Sequence, residues 1–139
     1  MGVISSVVKI KTKGRTEVIN ITEKVNEELS KTGLDKGVVT IFVKGSTAAI
    51  TTIEYESALV TDIKGLFEKL IPSNISYAHD DTWGDANGYS HLRASMLGPS
   101  LTVPFEKKTL FLGTWQQIVL LDFDNRPRDR QIMLQFIGE

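Results

Sequence analysis

The chain has 139 residues, of which 41% are hydrophobic and 24% charged, and its 16 basic and 17 acidic side chains leave a formal net charge of -1. This composition is typical of one globular domain over residues 1–139, and a neutral chain without a basic stripe argues against nucleic-acid binding. The chain has no cysteine, which excludes a disulfide scaffold and any thiolate nucleophile or thiolate zinc site. Neither a signal-peptide pattern nor an apolar run of ~20 residues is present, so we expect a cytoplasmic protein with no membrane partner.

The first half of the chain alternates strands and helices. Residues 3–11 and 15–19 are rich in β-branched side chains and predict two strands that form an opening hairpin. Asn20 stands three residues before Glu23, which is the spacing of a helix start, and Gly33 ends that helix. Further along, the patterns predict strands at 37–43 and 48–54 and a helix at 57–70, which Pro72 ends.

Strands dominate the second half. A polar loop leads into a short helix at about 89–97, which Gly98 and Pro99 terminate. Four further strands are predicted, at 101–105, 109–112, 115–123 and 130–137. Because short turns join most of the strands, we expect an α+β fold with largely antiparallel, sandwich-like sheets and two to three helices.

The loop at 77–98 collects side chains that core packing does not call for. It holds both histidines of the chain, His79 and His91, and three aspartates. Two imidazoles and one carboxylate can fill three positions of a divalent metal site, with zinc favoured by the nitrogen ligands. The candidate carboxylates are Asp80, Asp81 and Asp85, and Asp85 is preferred. In the alternative interpretation, His91 packs under the short helix and His79 is a surface residue.

Four other features are candidate ligand contacts. Asn87 and Gly88 precede a helix, where free backbone amides favour a phosphate, unless they only turn the chain. Ser46 and Thr47 lie between two predicted strands. Their hydroxyls either bond a ligand or bond backbone groups at a β-bulge. The third candidate is Glu54, which is either a base or a favourable charge at a helix N-terminus. The fourth is the row Arg126, Arg128 and Arg130, whose side chains are either phosphate ligands or partners in salt bridges and subunit contacts.

Three segments give the chain a resemblance to a known family. They are GSTAAITTIE at 45–54, SHLRASMLGPSLTVP at 90–104 and LGTWQQIVLLDFDNRPRDR at 112–130. On these segments the chain resembles the YjbQ-like family of small uncharacterised proteins. The resemblance implies a compact α+β homotrimer with sites near its subunit interfaces. It also implies a weak, secondary thiamine-phosphate synthase activity, which joins a pyrimidine diphosphate to a thiazole phosphate and releases pyrophosphate. A divalent ion, zinc or magnesium, would shield the phosphates.

Individual residues match the family pattern, and others depart from it. The matching positions are His79, His91, Glu54, Ser46, Thr47, Trp115 and Gln116. Gly45 and Tyr89 stand where many relatives carry histidine, so one subunit cannot supply a three-histidine metal site. A site that mixes histidines and carboxylates, or one shared between subunits, remains open.

These observations lead to two hypotheses. The first is an enzyme that binds a small phosphorylated metabolite, with His79, His91 and Glu54 as catalytic groups and His79, His91 and Asp85 as metal ligands. The predicted ligand-binding residues are Ser46, Thr47, Asn87, Gly88, Arg93, Gln116 and Arg128. The second is a non-catalytic trimer that binds a metabolite or a protein partner and uses its histidines structurally.

Overall fold

The computed structural model describes residues 1–139 and contains eight strands and four helices. The strands are β1 (Gly2–Thr12), β2 (Glu17–Asn20), β3 (Gly37–Val43), β4 (Ala48–Glu54), β5 (Ser100–Glu106), β6 (Thr109–Leu110), β7 (Gln116–Asp122) and β8 (Arg128–Gly138). The helices are α1 (Thr22–Thr32), α2 (Ser57–Leu70), α3 (Asp80–Trp83) and α4 (Gly88–Leu97). None of the helices has the length and hydropathy required to cross a membrane.

All strand pairs are antiparallel, and they form two sheets. The larger sheet has the order β1-β8-β3-β5-β6, and the smaller one the order β2-β7-β4. The expected α+β fold with antiparallel sheets is therefore confirmed, with one short helix, α3, that the sequence did not predict.

The predicted opening hairpin is wrong. β1 pairs with β8 along its whole length, whereas β2 pairs with β7 in the other sheet. The turn between them carries Arg15 and Thr16 at φ 57 and 62, and a side chain at Gly14 would lie 2.5 Å from the Asp124 carbonyl oxygen. This tight turn, packed on a distant segment, sends the chain from one sheet to the other.

The helices and sheets form three layers with two apolar interiors. One interior lies between the sheets and includes Ile118 and Leu120 of β7. The other lies between the smaller sheet and helices α2 and α4, and it includes Val119 and Leu121 of the same strand. Strand β7 is therefore buried on both faces, which explains its continuous apolar sequence.

Helix ends follow local capping rules. Gly33 ends α1 in the left-handed conformation at φ 72, as expected for a glycine at this position. At the start of α1 the Asn20 side chain accepts a hydrogen bond from the Thr22 amide. The Glu56 carboxylate accepts hydrogen bonds from the amides of Ala58 and Leu59 and so caps α2. These caps make the helix boundaries predictable from sequence.

Three segments distant in sequence meet where the chain crosses from β7 to β8. The Phe123 amide donates to the Thr47 carbonyl in the turn between β3 and β4. The Ser90 hydroxyl of α4 donates to the Phe123 carbonyl, and the Asn125 side-chain amide donates to the Asp85 carbonyl. The crossing segment therefore brings the turn at 45–47 and the loop at 77–91 together.

Candidate functional site

A cavity of about 310 Å³ lies at this junction. We call it the polar cavity. Its lining residues are Gly45, Ser46, Thr47, His79, Trp83, Asp85, Asn87, His91, Asp124, Arg128 and Arg130. Seven of the residues predicted as catalytic, ligand-binding or metal-binding are among them, so the fold gathers most of the predicted set at one place.

The two histidines form a close pair at one wall of the polar cavity. Their ring centroids lie 4.3 Å apart, with an angle of 58° between the ring planes. Burial lowers the pKa of His91 most, and the charge of His79 lowers it further, against the opposing effects of Asp124 and Asp85. His91 is therefore a neutral imidazole near pH 7, which is the form that can accept a proton.

A buried ion pair forms the floor of the cavity. Arg130 donates from Nε and Nη2 to the two carboxylate oxygens of Asp122, at 2.7 and 2.8 Å. The Arg130 side chain is 7% exposed and that of Asp122 is fully buried. Nη2 also donates to the Thr47 hydroxyl at 2.7 Å. Two parallel hydrogen bonds of this kind fix the guanidinium plane as well as its position.

Asp124 is the second buried carboxylate. It accepts hydrogen bonds from the Thr47 hydroxyl at 2.9 Å, from Arg128 Nε at 2.8 Å and from the Asn125 amide at 2.8 Å. The Asn87 side-chain amide approaches it at 3.4 Å. Burial on its own would raise the pKa of Asp124, but these hydrogen bonds outweigh burial and hold the pKa below its ordinary value. Asp124 is therefore ionised at neutral pH.

Several polar groups at the cavity have no partner in the chain. The hydrogen bonds of Arg130 use Nε and Nη2 and leave Nη1 free. Nη1 points towards Gly45, where a side chain would come within 2.8 Å of it. Arg128 is 31% exposed beyond its ion pair, and the buried Asn87 Oδ1 atom lacks a donor. Arg130 Nη1 and the exposed part of Arg128 can thus donate to an anion beside two imidazoles, whereas Asn87 Oδ1 can only accept a hydrogen bond.

Glu54 and Gln116 do not line this cavity. They face each other across β4 and β7, at the opposite end of β4 from Ala48. Glu54 is exposed and lies in a separate cavity with Trp115, and the Gln116 side chain bonds to Thr52 and to the Gly113 amide. The expectation that Glu54 shares a pocket with His79 and His91 is wrong within one chain, because Glu54 lies at the end of β4 that is remote from them.

Arg93 is a structural residue, contrary to its prediction as a ligand contact. Its side chain is 2% exposed. Nε and Nη2 donate to the Ile71 carbonyl, Nη1 donates to Thr16, and Nη2 pairs with Glu68 at 2.9 Å. The guanidinium also lies 4.9 Å from the centroid of the Tyr89 ring. Arg93 ties α4 to the end of α2 and to the first turn.

The amide of Gly88 also has a partner inside the chain. It donates to Asp80 Oδ1 at 2.9 Å, while Asp80 Oδ2 accepts from the Tyr77 amide at 3.0 Å. The hydrogen bonds from the Tyr77 and Gly88 amides lower the pKa of Asp80. The prediction that the Gly88 amide binds phosphate is therefore wrong, because an aspartate of the same loop occupies that position.

The predicted metal ligands share the cavity without forming a complete ligand set. His79, His91 and Asp85 all line it. However, no three histidine, aspartate or glutamate side chains of the chain converge closely enough to hold a metal ion. A divalent ion would therefore need at least one ligand from outside this chain.

Three residues of the cavity, Gly45, Trp83 and Asp124, were not predicted as ligand contacts, and Arg130 was considered only as a member of the arginine row. Asp122 and Asp124 alternate at the end of a buried strand, and Arg128 and Arg130 alternate at the start of the next. Two aspartates in an apolar run require cationic partners, and this pattern was the available signal. Arg126, in the same row, does not line the cavity.

Comparisons with known proteins all identify the same family. A family model described as "UPF0047 protein YjbQ-like" matches residues 6–139. A UPF0047 protein of Methanothermobacter thermautotrophicus is 38% identical over 139 residues, which cover 100% of this chain and 95% of the relative. The UPF0047 protein YugU of Bacillus subtilis is 34% identical over 132 residues, covering 94% of this chain and 96% of the relative.

Solved structures show the same fold. A hypothetical protein from Aeropyrum pernix superimposes with a TM-score of 0.91 at 32% identity, covering 98% of this chain and 99% of that one. A YbjQ-like protein of unknown function from Sulfolobus solfataricus gives 0.88 at 30% identity, covering 99% and 100%. The architecture described above is thus shared over almost the full length of both proteins.

Proposed function

The chain belongs to the UPF0047 family of YjbQ-like proteins, and from this premise we propose that it binds a small phosphorylated metabolite in the polar cavity. One observation carries the proposal: two arginines and two histidines from two segments distant in sequence line the same cavity. The arginines supply donors for the phosphate, and the histidines supply acid–base groups.

Binding would depend on directed donors more than on net charge. Asp122 and Asp124 offset the charges of Arg130 and Arg128, so the cavity is not a strongly positive surface. The same ion pairs hold each guanidinium in place, and an anion then meets donors that are already oriented. The exposed Ser46 hydroxyl lies at the same cavity and adds a further donor.

The reaction proposed is a transfer of the thiamine-phosphate synthase type, as the family resemblance implies. In that reaction the departing pyrophosphate develops negative charge, which arginine donors stabilise. We assign this role to Arg128 and Arg130 because both line the polar cavity, and we assign the neutral His91 the role of proton acceptor or relay. Because Glu54 lies outside the polar cavity, we assign it no role there within one chain.

A divalent metal, zinc or magnesium, stays part of the proposal only with an outside ligand. His79 and His91 would provide nitrogen ligands, and a phosphate oxygen or a neighbouring subunit would complete the set, because no third imidazole or carboxylate of this chain converges with them. The metal would shield phosphate charge when bound. Isothermal calorimetry with zinc chloride tests this: we expect binding by the natural chain and at least about tenfold weaker binding by His91→Ala. Equal binding by both proteins would contradict the metal role.

We also propose that the chain forms a homotrimer. The outer face of the larger sheet carries six apolar side chains that are at least one-third exposed: Val3, Val7, Val38, Phe42, Met133 and Ile137. Val7 and Phe42 both stand opposite Met133, and Val3 and Val38 both stand opposite Ile137. The six side chains therefore form two apolar groups on one face, on either side of the polar Gln135, and we call this face the apolar patch. Exposed apolar patches of this kind mark interaction surfaces, and this patch supports a subunit interface.

The alternative is a non-catalytic binding protein whose histidines are structural. The observation that favours it is the engagement of Arg128 and Arg130 in ion pairs, which also hold the β7–β8 crossing together. Thermal melting of His79→Ala and His91→Ala separates the two hypotheses. A loss of more than about 1 kcal/mol in either variant supports a structural histidine, whereas functional histidines can be removed at little cost to stability.

Calorimetry with inorganic pyrophosphate tests the main proposal. We expect Arg128→Ala to bind pyrophosphate at least about tenfold more weakly than the natural chain, since it removes a charged hydrogen-bond donor. Arg126→Ala is the matched control, because Arg126 is an exposed arginine of the same turn that does not line the cavity. Absence of binding by the natural chain, or equal losses in the two variants, would overturn the anion site.

A further inference from the structure

We infer that the ligand of the polar cavity is an organic anion whose uncharged body lies in a second, apolar groove next to it. This inference rests on the proposed function, because it takes the polar cavity as the anion site. It adds where the uncharged part of the ligand lies: a ring or another compact apolar group attached to the anion would occupy the groove. Inorganic phosphate alone would fill only part of the combined site.

The groove lies between helix α4 and the turn that precedes β4. Its volume is about 420 Å³, and its lining residues are Gly45, Ser46, Ala48, His91, Leu92, Ala94, Ser95 and Pro99. Three of these residues, Gly45, Ser46 and His91, also line the polar cavity. The two spaces therefore adjoin, with His91 on one side of the junction and the turn at 45–46 on the other.

The two spaces differ in chemistry. The polar cavity has four charged side chains in its lining, Asp85, Asp124, Arg128 and Arg130. The groove has no charged side chain, and its walls are mainly the carbon surfaces of Ala48, Leu92, Ala94 and Pro99. A molecule that spans both spaces would therefore have an uncharged end in the groove and a charged end in the polar cavity, where the free donors of Arg128 and Arg130 favour an anion.

The local structure keeps the groove open. The Gly45 backbone has φ +126, a conformation that only glycine adopts readily, so no side chain stands at the junction. The Ser95 hydroxyl is turned back to the Leu92 carbonyl of its own helix, at 2.9 Å. The exposed Ser46 has its hydroxyl at the junction itself, where it can bond the linking atom of a phosphate ester.

A small molecule fits this groove better than a peptide or a second copy of the chain. Its volume falls in the range of about 300–1,000 Å³ that small-ligand sites occupy. The groove adjoins the polar cavity through three shared residues. A ligand in the groove can therefore reach the arginine donors with an anionic group at one of its ends. The broad apolar patch proposed as the subunit interface is elsewhere, on strands β1, β3 and β8.

The test compares two probes, inorganic phosphate and phenyl phosphate, by calorimetry at pH 8, where both are predominantly dianions. We expect phenyl phosphate to bind at least about tenfold more tightly, because its ring leaves water for the groove. Ser95→Phe should fill the groove and remove this preference while leaving phosphate binding unchanged. Ser30→Phe is the matched control, since Ser30 is an exposed helical serine whose hydroxyl bonds its own helix through the Glu27 carbonyl.

The outcomes separate this inference from the proposed function. If neither probe binds, the anion site fails and the groove inference fails with it. If the two probes bind equally, or if Ser95→Phe keeps the preference for phenyl phosphate, the groove inference is overturned and the anion site stands. Should Ser95→Phe lower the melting temperature, Leu92→Ser replaces it, because Leu92 is an exposed wall of the groove, and it should reduce the preference about threefold.

Discussion

The imidazole rings of His79 and His91 lie 4.3 Å apart, centroid to centroid, at the wall of the polar cavity. They come from different elements: His79 immediately precedes α3, and His91 lies in the first turn of α4. At this distance a proton on one ring disfavours a proton on the other. Burial lowers the pKa of His91 most, and the charge of His79 lowers it further.

This relationship predicts how stability changes with pH. The folded pKa of His91 lies below its ordinary value of 6.5, so below pH 6.5 the unfolded chain binds more protons than the folded chain. The contribution of His91 to stability is fully present above pH 6.5 and decreases as the pH falls through that value towards the folded pKa. NMR titration should show the depressed pKa directly. In His91→Asn, the decrease of the melting temperature just below pH 6.5 should be shallower than in the natural chain, and an unchanged slope would contradict the assignment.

Removal of Arg130 should be strongly destabilising. Arg130→Met leaves the fully buried carboxylate of Asp122 without its cation, a change that typically costs about 3–5 kcal/mol. The double variant Arg130→Met/Asp122→Asn should recover part of the loss, because no buried charge remains at that position. Urea denaturation measures both, with Arg126→Met as a control expected within about 0.5 kcal/mol of the natural chain. A loss equally small in Arg130→Met would show that the ion pair contributes little.

Arg93 should affect stability and leave ligand binding unchanged. Arg93→Met removes the donors to the Ile71 carbonyl, Thr16 and Glu68, and we expect a loss of about 2–4 kcal/mol. Glu68 is about half exposed, so water replaces part of its contribution. Affinity for pyrophosphate, measured on the folded fraction, should match that of the natural chain. A selective loss of affinity would restore Arg93 as a ligand contact.

Two glycine substitutions should act in opposite directions. A Cβ at Gly88 would lie 2.7 Å from Tyr77 Cβ and 2.9 Å from Asp80 Oδ1, so Gly88→Ala should destabilise the chain by about 1–3 kcal/mol. Gly65 lies inside α2 with no atom within 4 Å of an added Cβ, so Gly65→Ala should stabilise it by about 0.5–1 kcal/mol. Thermal melting of the two variants is sufficient, and a stabilised Gly88→Ala would argue against the tight packing at the start of α4.

The proposed trimer can be tested at the apolar patch. Phe42→Asp places a charge at the patch, and light scattering after gel filtration should show a shift from trimer to monomer. Phe111→Asp is the control, because Phe111 is 78% exposed and does not belong to the larger sheet's strands. A natural chain that elutes as a monomer would contradict the proposal, as would a Phe42→Asp variant that remains trimeric.

Local patterns predicted most of the secondary structure. Strands β3 and β4 and helix α2 have the predicted boundaries, because β-branched runs, apolar helical periods and capping residues act within a few positions. Helix α3 was missed because four residues, Asp80–Trp83, carry too little pattern to detect. The three segments 45–54, 90–104 and 112–130 also carried the family resemblance, which is confirmed.

Strand pairing and the content of the cavity depended on the tertiary structure. Adjacent strands β1 and β2 were expected to pair, but the turn at Arg15 and Thr16 packs against the crossing segment and separates them. Seven residues of the cavity were predicted as site residues from their chemistry and from the family resemblance: Ser46, Thr47, His79, Asp85, Asn87, His91 and Arg128. Which of the other candidates join them could not be predicted, because that depends on the direction of each strand in space.

Composition, periodicity and caps therefore identified the class of fold, the main helices and strands, and the polar loop, since these depend on interactions close in sequence. Only the folded chain showed that Asp122 and Asp124 orient Arg130 and Arg128, that Arg93 is buried in a structural role, and that Glu54 lies at the far end of β4. The physical reason is that hydrogen bonds and cavities join residues far apart in sequence: the Thr12 hydroxyl donates to Asp122, and the polar cavity joins the turn at 45–47 to Asp124 and Arg128. No local pattern encodes such a contact.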